Sequence, residues 1–298
     1  MKREIKCDNC GNDTYAAVYK LQNVRFIPGP IVKCPNCGLK YRLISLSEEE
    51  LAQYYQKEEY GEESYLRDYG KEYVHYLPKS EIATYQDVLR LLEKHGTPKG
   101  SLLEIGCASG IFLDMAQKRG WTVMGVEVSP SLAEMARANF GINVITSQME
   151  NADLPGNYFD AVVMWDVIEH FMAPSEIIKM VRNNLKSNGI IVIFTQDNNS
   201  LLVTLGDFFA RIGIKNFLYH LFDNYHLFFY TPRTLQFLLE QNHYEIMGTK
   251  HYPAEVAKRT WSDISIGFFI RLGTSLANGI AHLMGKDYRM VMIARKME

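Results

Sequence analysis

The sequence has no strong charge bias: 32 Lys and Arg stand against 34 Asp and Glu, a net charge of -2. It therefore lacks the basic excess of a dedicated nucleic-acid binder. The N-terminal stretch MKREIKC is charged and runs straight into a cysteine pair, so no secretory signal peptide is expected there. No uncharged apolar run reaches the ~18 residues needed to span a bilayer. The longest apolar stretch, Ile264 to Met284, is broken by Arg271 and His282. Repeats and low-complexity tracts are absent. Hydrophobic residues at 47% and charged residues at 22% exclude a mostly disordered chain. These absences leave a soluble, cytoplasmic protein, and 298 residues set an expectation of about two domains.

Five cysteines are present, and four of them form a pattern. Cys7, Cys10, Cys34 and Cys37 are two CxxC pairs, and Cys107 stands far away. In a cytoplasmic chain this spacing predicts a metal site rather than a disulfide framework, with a redox dithiol as the alternative. Each pair turns two sulfurs toward one point, and two pairs complete the tetrahedron of thiolates that Zn²⁺ prefers. Gly11 and Gly38 follow the pairs, where a tight turn needs them. A site closed by four protein ligands stabilises a fold and catalyses nothing.

Three regions follow. Residues 1–46 are read as a zinc ribbon. Residues 47–95 are read as a helical linker and cap, with Ser47 capping a helix from Glu48 and tyrosines crowding residues 54–76. Residues 96–298 carry alternating helices and strands. Strands are predicted at 101–106, 121–128, 142–146, 158–164, 189–195, 243–250 and 289–295. Helices are predicted at 80–95, 111–119, 130–140, 174–186 and 231–241. This alternation predicts an α/β, doubly wound, mostly parallel seven-stranded sheet of Rossmann type. Residues 201–222, apolar with spaced bases, are read as a lid-like flap over the acceptor or as a helix packed on the sheet edge. Residues 264–284 place an apolar seam for core or dimer packing, which is favoured over peripheral membrane contact.

Ligands of such sheets bind beyond the carboxyl ends of the strands, where strand order reverses. The first loop there is EIGCASG, Glu104 to Gly110. Gly106 and Gly110 let the backbone turn and approach a ligand, and the next helix offers free N–H groups. Glu127 lies about 20 residues on, where a carboxylate accepts ribose hydroxyls. Glu150 and Asn151 follow the third strand and suit an adenine amino group. Glu104 would repel a pyrophosphate; it suits a positively charged ligand such as an amino-acid sulfonium.

These motifs resemble those of the class I S-adenosylmethionine-dependent methyltransferases. The family's acid-x-Gly-x-Gly-x-Gly loop corresponds to Glu104, Gly106, Ala108 and Gly110, with Ala108 in place of the middle glycine. FDAVVMWDVIEH (Phe159 to His170), LKSNGIIVIFTQ (Leu185 to Gln196) and HLFFYTPRTLQFLLEQNHYE (His226 to Glu245) are similar to its later segments. The resemblance implies S-adenosylmethionine as donor, held by Glu104, Gly106, Cys107, Ala108, Gly110, Glu127, Val128, Glu150, Asn151, Trp165 and Asp166. A zinc ribbon ahead of this domain resembles sugar C-methyltransferases and related enzymes of polysaccharide and antibiotic-sugar pathways. That implies a small-molecule acceptor, a nucleotide-linked or cell-envelope sugar, rather than nucleic acid.

Methyl transfer from a sulfonium is an in-line displacement, and alignment alone lowers such a barrier by ~7–11 kcal/mol. A hydroxyl or carbon nucleophile also needs a base. His226 is the first candidate, the alternative being a histidine that only fixes the lid. Glu169 and His170 are the next, with a structural role as their alternative. A sharper alternative joins Asp166, Glu169, His170 and His226. These have the ligand types of a divalent metal site, and Asp-x-x-Glu-His resembles the motif of metal-dependent O-methyltransferases that act on RNA ends and quinone precursors. A non-catalytic binding scaffold is a third reading.

Overall fold

The computed structural model describes residues 6–19, 29–44, 50, 79–95, 99–213, 226–253 and 277–298. The helix expected from Glu48, the tyrosines of residues 54–76, the second half of the flap and most of the 264–284 seam lie outside the described residues.

Seven strands form one sheet. In chain order they are β4 (Ser101–Ile105), β5 (Thr122–Glu127), β6 (Asn143–Thr146), β7 (Phe159–Trp165), β8 (Leu185–Gln196), β10 (Tyr244–Tyr252) and β11 (Arg289–Lys296). Their spatial order is β10-β11-β8-β7-β4-β5-β6. Pairings from β6 through β8 are parallel, and β11 runs antiparallel to both of its neighbours. The expected doubly wound, mostly parallel seven-stranded sheet is therefore what the chain forms. Its central strands are mostly apolar because both faces are covered. In β8, Ile190, Val192 and Phe194 pack on one side, while Ile191 and Ile193 pack on the other.

Helices α1 (Lys79–Lys94), α2 (Ile111–Lys118) and α3 (Pro130–Phe140) cover the first face. Helices α4 (Pro174–Asn184) and α6 (Pro232–Gln241) cover the second. Between them in the chain, α5 (Leu201–Arg211) occupies the first half of the expected flap. Its Val203 is buried against Ile31 and Phe229, whereas Leu205 and Phe208 face outward. No helix among the described residues is long and apolar enough to cross a membrane.

The N-terminal region adds β1 (Ala16–Tyr19), β2 (Ile31–Lys33) and β3 (Lys40–Arg42). They form an antiparallel sheet whose fourth strand is β9 (Phe228–Phe229), contributed from beyond residue 96. Cys7, Val32, Cys34, Leu39 and Tyr41 join the same core as α4 and α6. The ribbon thus shares a sheet and a core with the α/β domain.

Candidate active site

The chain runs β4, β5, β6 outward in one direction and then crosses back to place β7 on the other side of β4. The crevice between the ends of β4 and β7 is the reversal point where such folds bind ligands. Gly106 lies there with φ 72°, and a Cβ on it would come within 2.5 Å of the Val167 side chain. Gly110 takes φ 81° as the N-cap of α2, and its Cβ would meet Ala136 at 2.8 Å. Only glycine fits either place, so the loop passes close beneath the crevice, held by its own N–H groups: Gly106 and Cys107 donate to the Val126 carbonyl and Gly110 to the Cys107 carbonyl. Ala108 also lies in the left-handed region, at φ 45°. Such strain in a non-glycine residue needs support. The support comes from Glu127, whose carboxylate accepts the Ala108 N–H at 2.8 Å and the Ser129 N–H at 2.8 Å.

Glu104 is the next-to-last residue of β4 and is 3% exposed, and its Oε2 is buried without a hydrogen-bond partner. Burial, reinforced by the Glu127 charge, pushes its carboxyl well above the ordinary carboxylate range. Burial also raises Glu127, against the pull of its backbone N–H donors. An orphaned buried acid beside a glycine cradle is the complement of a cationic ligand. Val128 presents an exposed apolar side chain next to Glu127. Glu150 and Asn151 stand in an exposed turn of 3₁₀ helix, Met149–Asn151, after β6.

The side chains of two members of the expected set are engaged in packing. The Cys107 side chain is buried over Gly125, where burial pushes its thiol up. Trp165 turns into an aromatic cluster, with ring centroids 4.5 Å from Tyr85, 5.2 Å from Phe112 and 4.9 Å from Phe194. Beside it opens a cavity of about 290 Å³, lined among others by Tyr85, Trp165, Asp166, Phe194, Tyr252 and Arg289. Sequence reasoning did not find this cavity, because its walls come from five separate elements.

The loop after β7 carries the other group. Ligand atoms of Glu169, His170 and His226 lie within 4.8 Å of one another. The two imidazoles meet edge to face, 4.7 Å between centroids. Glu169 is 1% exposed and His226 6%. Asp166 stands outside this group: at φ 49° its Oδ2 lies 3.6 Å from Arg289 Nη2. Of the four residues proposed as metal ligands, three converge.

The four cysteines converge as well, with all four sulfurs within 4.8 Å. Cys7 and Cys37 are 3.5 Å apart, as are Cys10 and Cys34. Gly11 and Gly38 take φ 70° and 84°, and their N–H groups close turns onto the carbonyls of Cys7 and Cys34. Sequence reasoning missed the clasp around this ribbon. Asp8, Asn9 and Arg42 bond to α4, α6 and the His226 segment.

This strand order, with a glycine loop after the first strand and an acid after the second, defines a class I S-adenosylmethionine-dependent methyltransferase. The chain belongs to the methyltransferase-domain family, which it matches over residues 73–247, more than half of its length. It is 26% identical over 157 residues to "Ubiquinone biosynthesis O-methyltransferase, mitochondrial" of Schizosaccharomyces pombe, covering 49% of this chain and 56% of that one. It is 25% identical over 190 residues to "Ubiquinone biosynthesis O-methyltransferase" of Rickettsia akari, covering 61% and 74%. The chain thus spans little more than half of the first relative. Among solved structures, a SAM-dependent methyltransferase from Archaeoglobus fulgidus superposes with a TM-score of 0.50 at 22% identity, covering 72% of this chain and 94% of that one. Phosphoethanolamine N-methyltransferase 2 of Haemonchus contortus, in complex with S-adenosyl-L-methionine, gives 0.55 at 14%, covering 87% and 62%. The chain therefore carries the fold and the family domain of the S-adenosylmethionine-dependent methyltransferases.

Proposed function

We propose that this enzyme methylates a hydroxyl of a small, quinone-like aromatic acceptor, with Glu169, His170 and His226 as the group that activates the hydroxyl. The convergence of those three side chains is the observation that carries the reading. The donor supplies an electrophilic methyl on a positively charged sulfur. Glu104 faces that charge, Glu127 holds the ribose, and Gly106 and Gly110 admit the chain of the donor to the crevice. The acceptor proton must leave as the O–CH₃ bond forms and the S–CH₃ bond breaks. A phenol starts near pKa ~10, as tyrosine does, so a modest field suffices to ionise it. One carboxylate and two imidazoles suit a divalent cation, which when bound would lower that pKa further. The named relatives, both O-methyltransferases of ubiquinone biosynthesis, agree with an oxygen nucleophile.

The four thiolates are proposed to hold a structural Zn²⁺. Zn–S bonds of ~2.3 Å put tetrahedral sulfurs about 3.8 Å apart, close to the two 3.5 Å separations. Reduced thiolates suit a cytoplasmic location. The ribbon also favours a second reading: a nucleotide-linked or cell-envelope sugar acceptor of polysaccharide biosynthesis, with His226 as a metal-free base.

The test is a methyl-labelled donor offered with catechol, hydroxybenzoates and nucleotide sugars, with and without Mg²⁺ or Mn²⁺. Label on an aromatic hydroxyl, dependent on the divalent ion, is the expected result. Glu169→Gln and His226→Asn should each lower kcat by about 100-fold with donor affinity unchanged. Label on a nucleotide sugar, indifferent to chelation, would establish the second reading instead.

A further inference from the structure

Arg42 is the last residue of β3, in the ribbon, yet it is 3% exposed and lies against the active-site histidine. Its Nε donates to the carbonyl of His226 at 3.2 Å. Its own backbone N–H donates to the carbonyl of Leu227 at 2.7 Å. On the other side, the N–H of Leu227 donates to the carbonyl of Glu169 at 2.9 Å. The peptide units around residue 226 are therefore gripped between the ribbon and the loop that carries Glu169 and His170. Register continues the grip, since Tyr41 pairs with Phe228 and Lys40 with Phe229.

A guanidinium taken out of water is expensive unless its donors are used. Here Nε is spent on the His226 carbonyl and Nη1 reaches the Gly29 carbonyl at 3.5 Å. Its consequence is geometric: the main-chain position of residue 226 fixes where the imidazole starts, and its ring has to meet His170 at 4.7 Å. A side chain that fixes a reacting group through its backbone acts as outer-shell partners of a site do, and their loss costs about 10–100-fold.

We infer that Arg42 is a positioning residue for His226, through which the four-cysteine ribbon sets the geometry of the Glu169–His170–His226 group. The chemical importance of that group rests on the function proposed above; the positioning itself does not. This gives the ribbon a task inside the active site beyond adding stability to the fold.

The experiment uses the full chain, loaded with Zn²⁺ and labelled with ¹⁵N-histidine. Imidazole resonances of His226 and His170 are recorded for the parent, Arg42→Gln, Arg42→Lys and a ribbon control, Lys33→Ala, whose side chain is exposed on β2. Donor affinity is measured by calorimetry, and turnover on catechol as the probe. The expected result is that both Arg42 variants shift the two imidazoles while the control does not. Donor affinity stays within about twofold, because the glycine cradle lies on other strands. Turnover falls about 10–100-fold in Arg42→Gln, with partial recovery in Arg42→Lys, which keeps the charge but not the Nε donor. Unmoved imidazoles in Arg42→Lys would overturn the inference, as would donor affinity falling in step with turnover. If Arg42→Gln fails to fold, Arg42→Lys decides. Shifted imidazoles with unchanged turnover would uphold the positioning and sink the catalytic role of the histidine.

Discussion

In the proposed donor site, Glu104 is the residue that faces the sulfonium charge. Its carboxyl is held well above the usual range by burial and by Glu127, so the free protein keeps it protonated beyond the pH at which the unfolded chain loses that proton. The sign follows: the folded state binds this proton more tightly, so stability of the cofactor-free protein falls as pH rises above ~4.3 and continues to fall until the folded-state pKa is passed. Glu104→Gln removes the titration. It should be more stable than the parent in the alkaline part of that window, as read by denaturant unfolding at several pH values. A cationic donor reverses the preference, because its charge favours the ionised carboxylate. Donor binding should therefore release a proton and tighten as pH rises, and Glu104→Gln should bind weakly with no such dependence. Calorimetry in two buffers of different ionisation enthalpy measures the proton count, and uptake in place of release would contradict the assignment. The placement of Glu104, Gly106, Gly110 and Glu127 was legible in the sequence because it is local: a strand, a turn and a carboxylate at fixed spacing. Arg42 was not, because its partner lies 184 positions away.

At the scale of elements, α4 shows how a local signal can be missing and the structure still capped. The helix begins at Pro174, and its N-cap residue Ala173 has no side chain able to accept a bond. Asp8 of the ribbon supplies one instead, accepting the Ser175 N–H at 2.7 Å and its hydroxyl at 2.9 Å. A carboxylate there also meets the positive end of the helix. Asp8→Ala should cost about 1 kcal/mol of stability in urea unfolding, and Asp8→Asn less. A loss below about 0.3 kcal/mol would mean that water caps the helix equally well. Among the described residues of 80–298, most strand and helix positions were readable because hydrophobic period and glycine stops agree there. Boundaries drifted where pairing overrode punctuation. The sequence KSNG suggests a break before the fifth strand of the large sheet. The chain instead bulges through it, with Asn188 at φ 62°, because Leu185 pairs with Phe159 ahead of the regular ladder. The two-residue β9 had no periodicity to announce it. It is a strand only because β3 is beside it.

For the molecule as a whole, the bonds that join the ribbon to the α/β domain include a shared sheet at β3 and β9, Arg42 donating to the His226 carbonyl, Lys40 paired with Asp207 of α5, a capped helix at Asp8, and the Asn9 side chain donating to the Thr234 carbonyl of α6 at 2.8 Å. The donor crevice depends on none of these. It is built from the loops after β4, β5 and β7, braced by Gly106 against Val167 and by Glu127 against Ala108. Removal of the proposed zinc should therefore separate two properties that a generally destabilised protein would lose together. A mercurial reagent that titrates the four thiolates is expected to release one Zn²⁺ per chain. It should lower the melting temperature and abolish turnover, because the β3 edge no longer holds the His226 segment. Donor affinity, read by calorimetry below the new melting temperature, should change by no more than a few-fold. Cys107 does not confuse the experiment, since burial over Gly125 keeps its thiol protonated and covered. If donor affinity collapsed along with turnover, the ribbon would have to be regarded as part of the cofactor site. If turnover survived zinc release, the clasp around His226 would be a matter of stability alone.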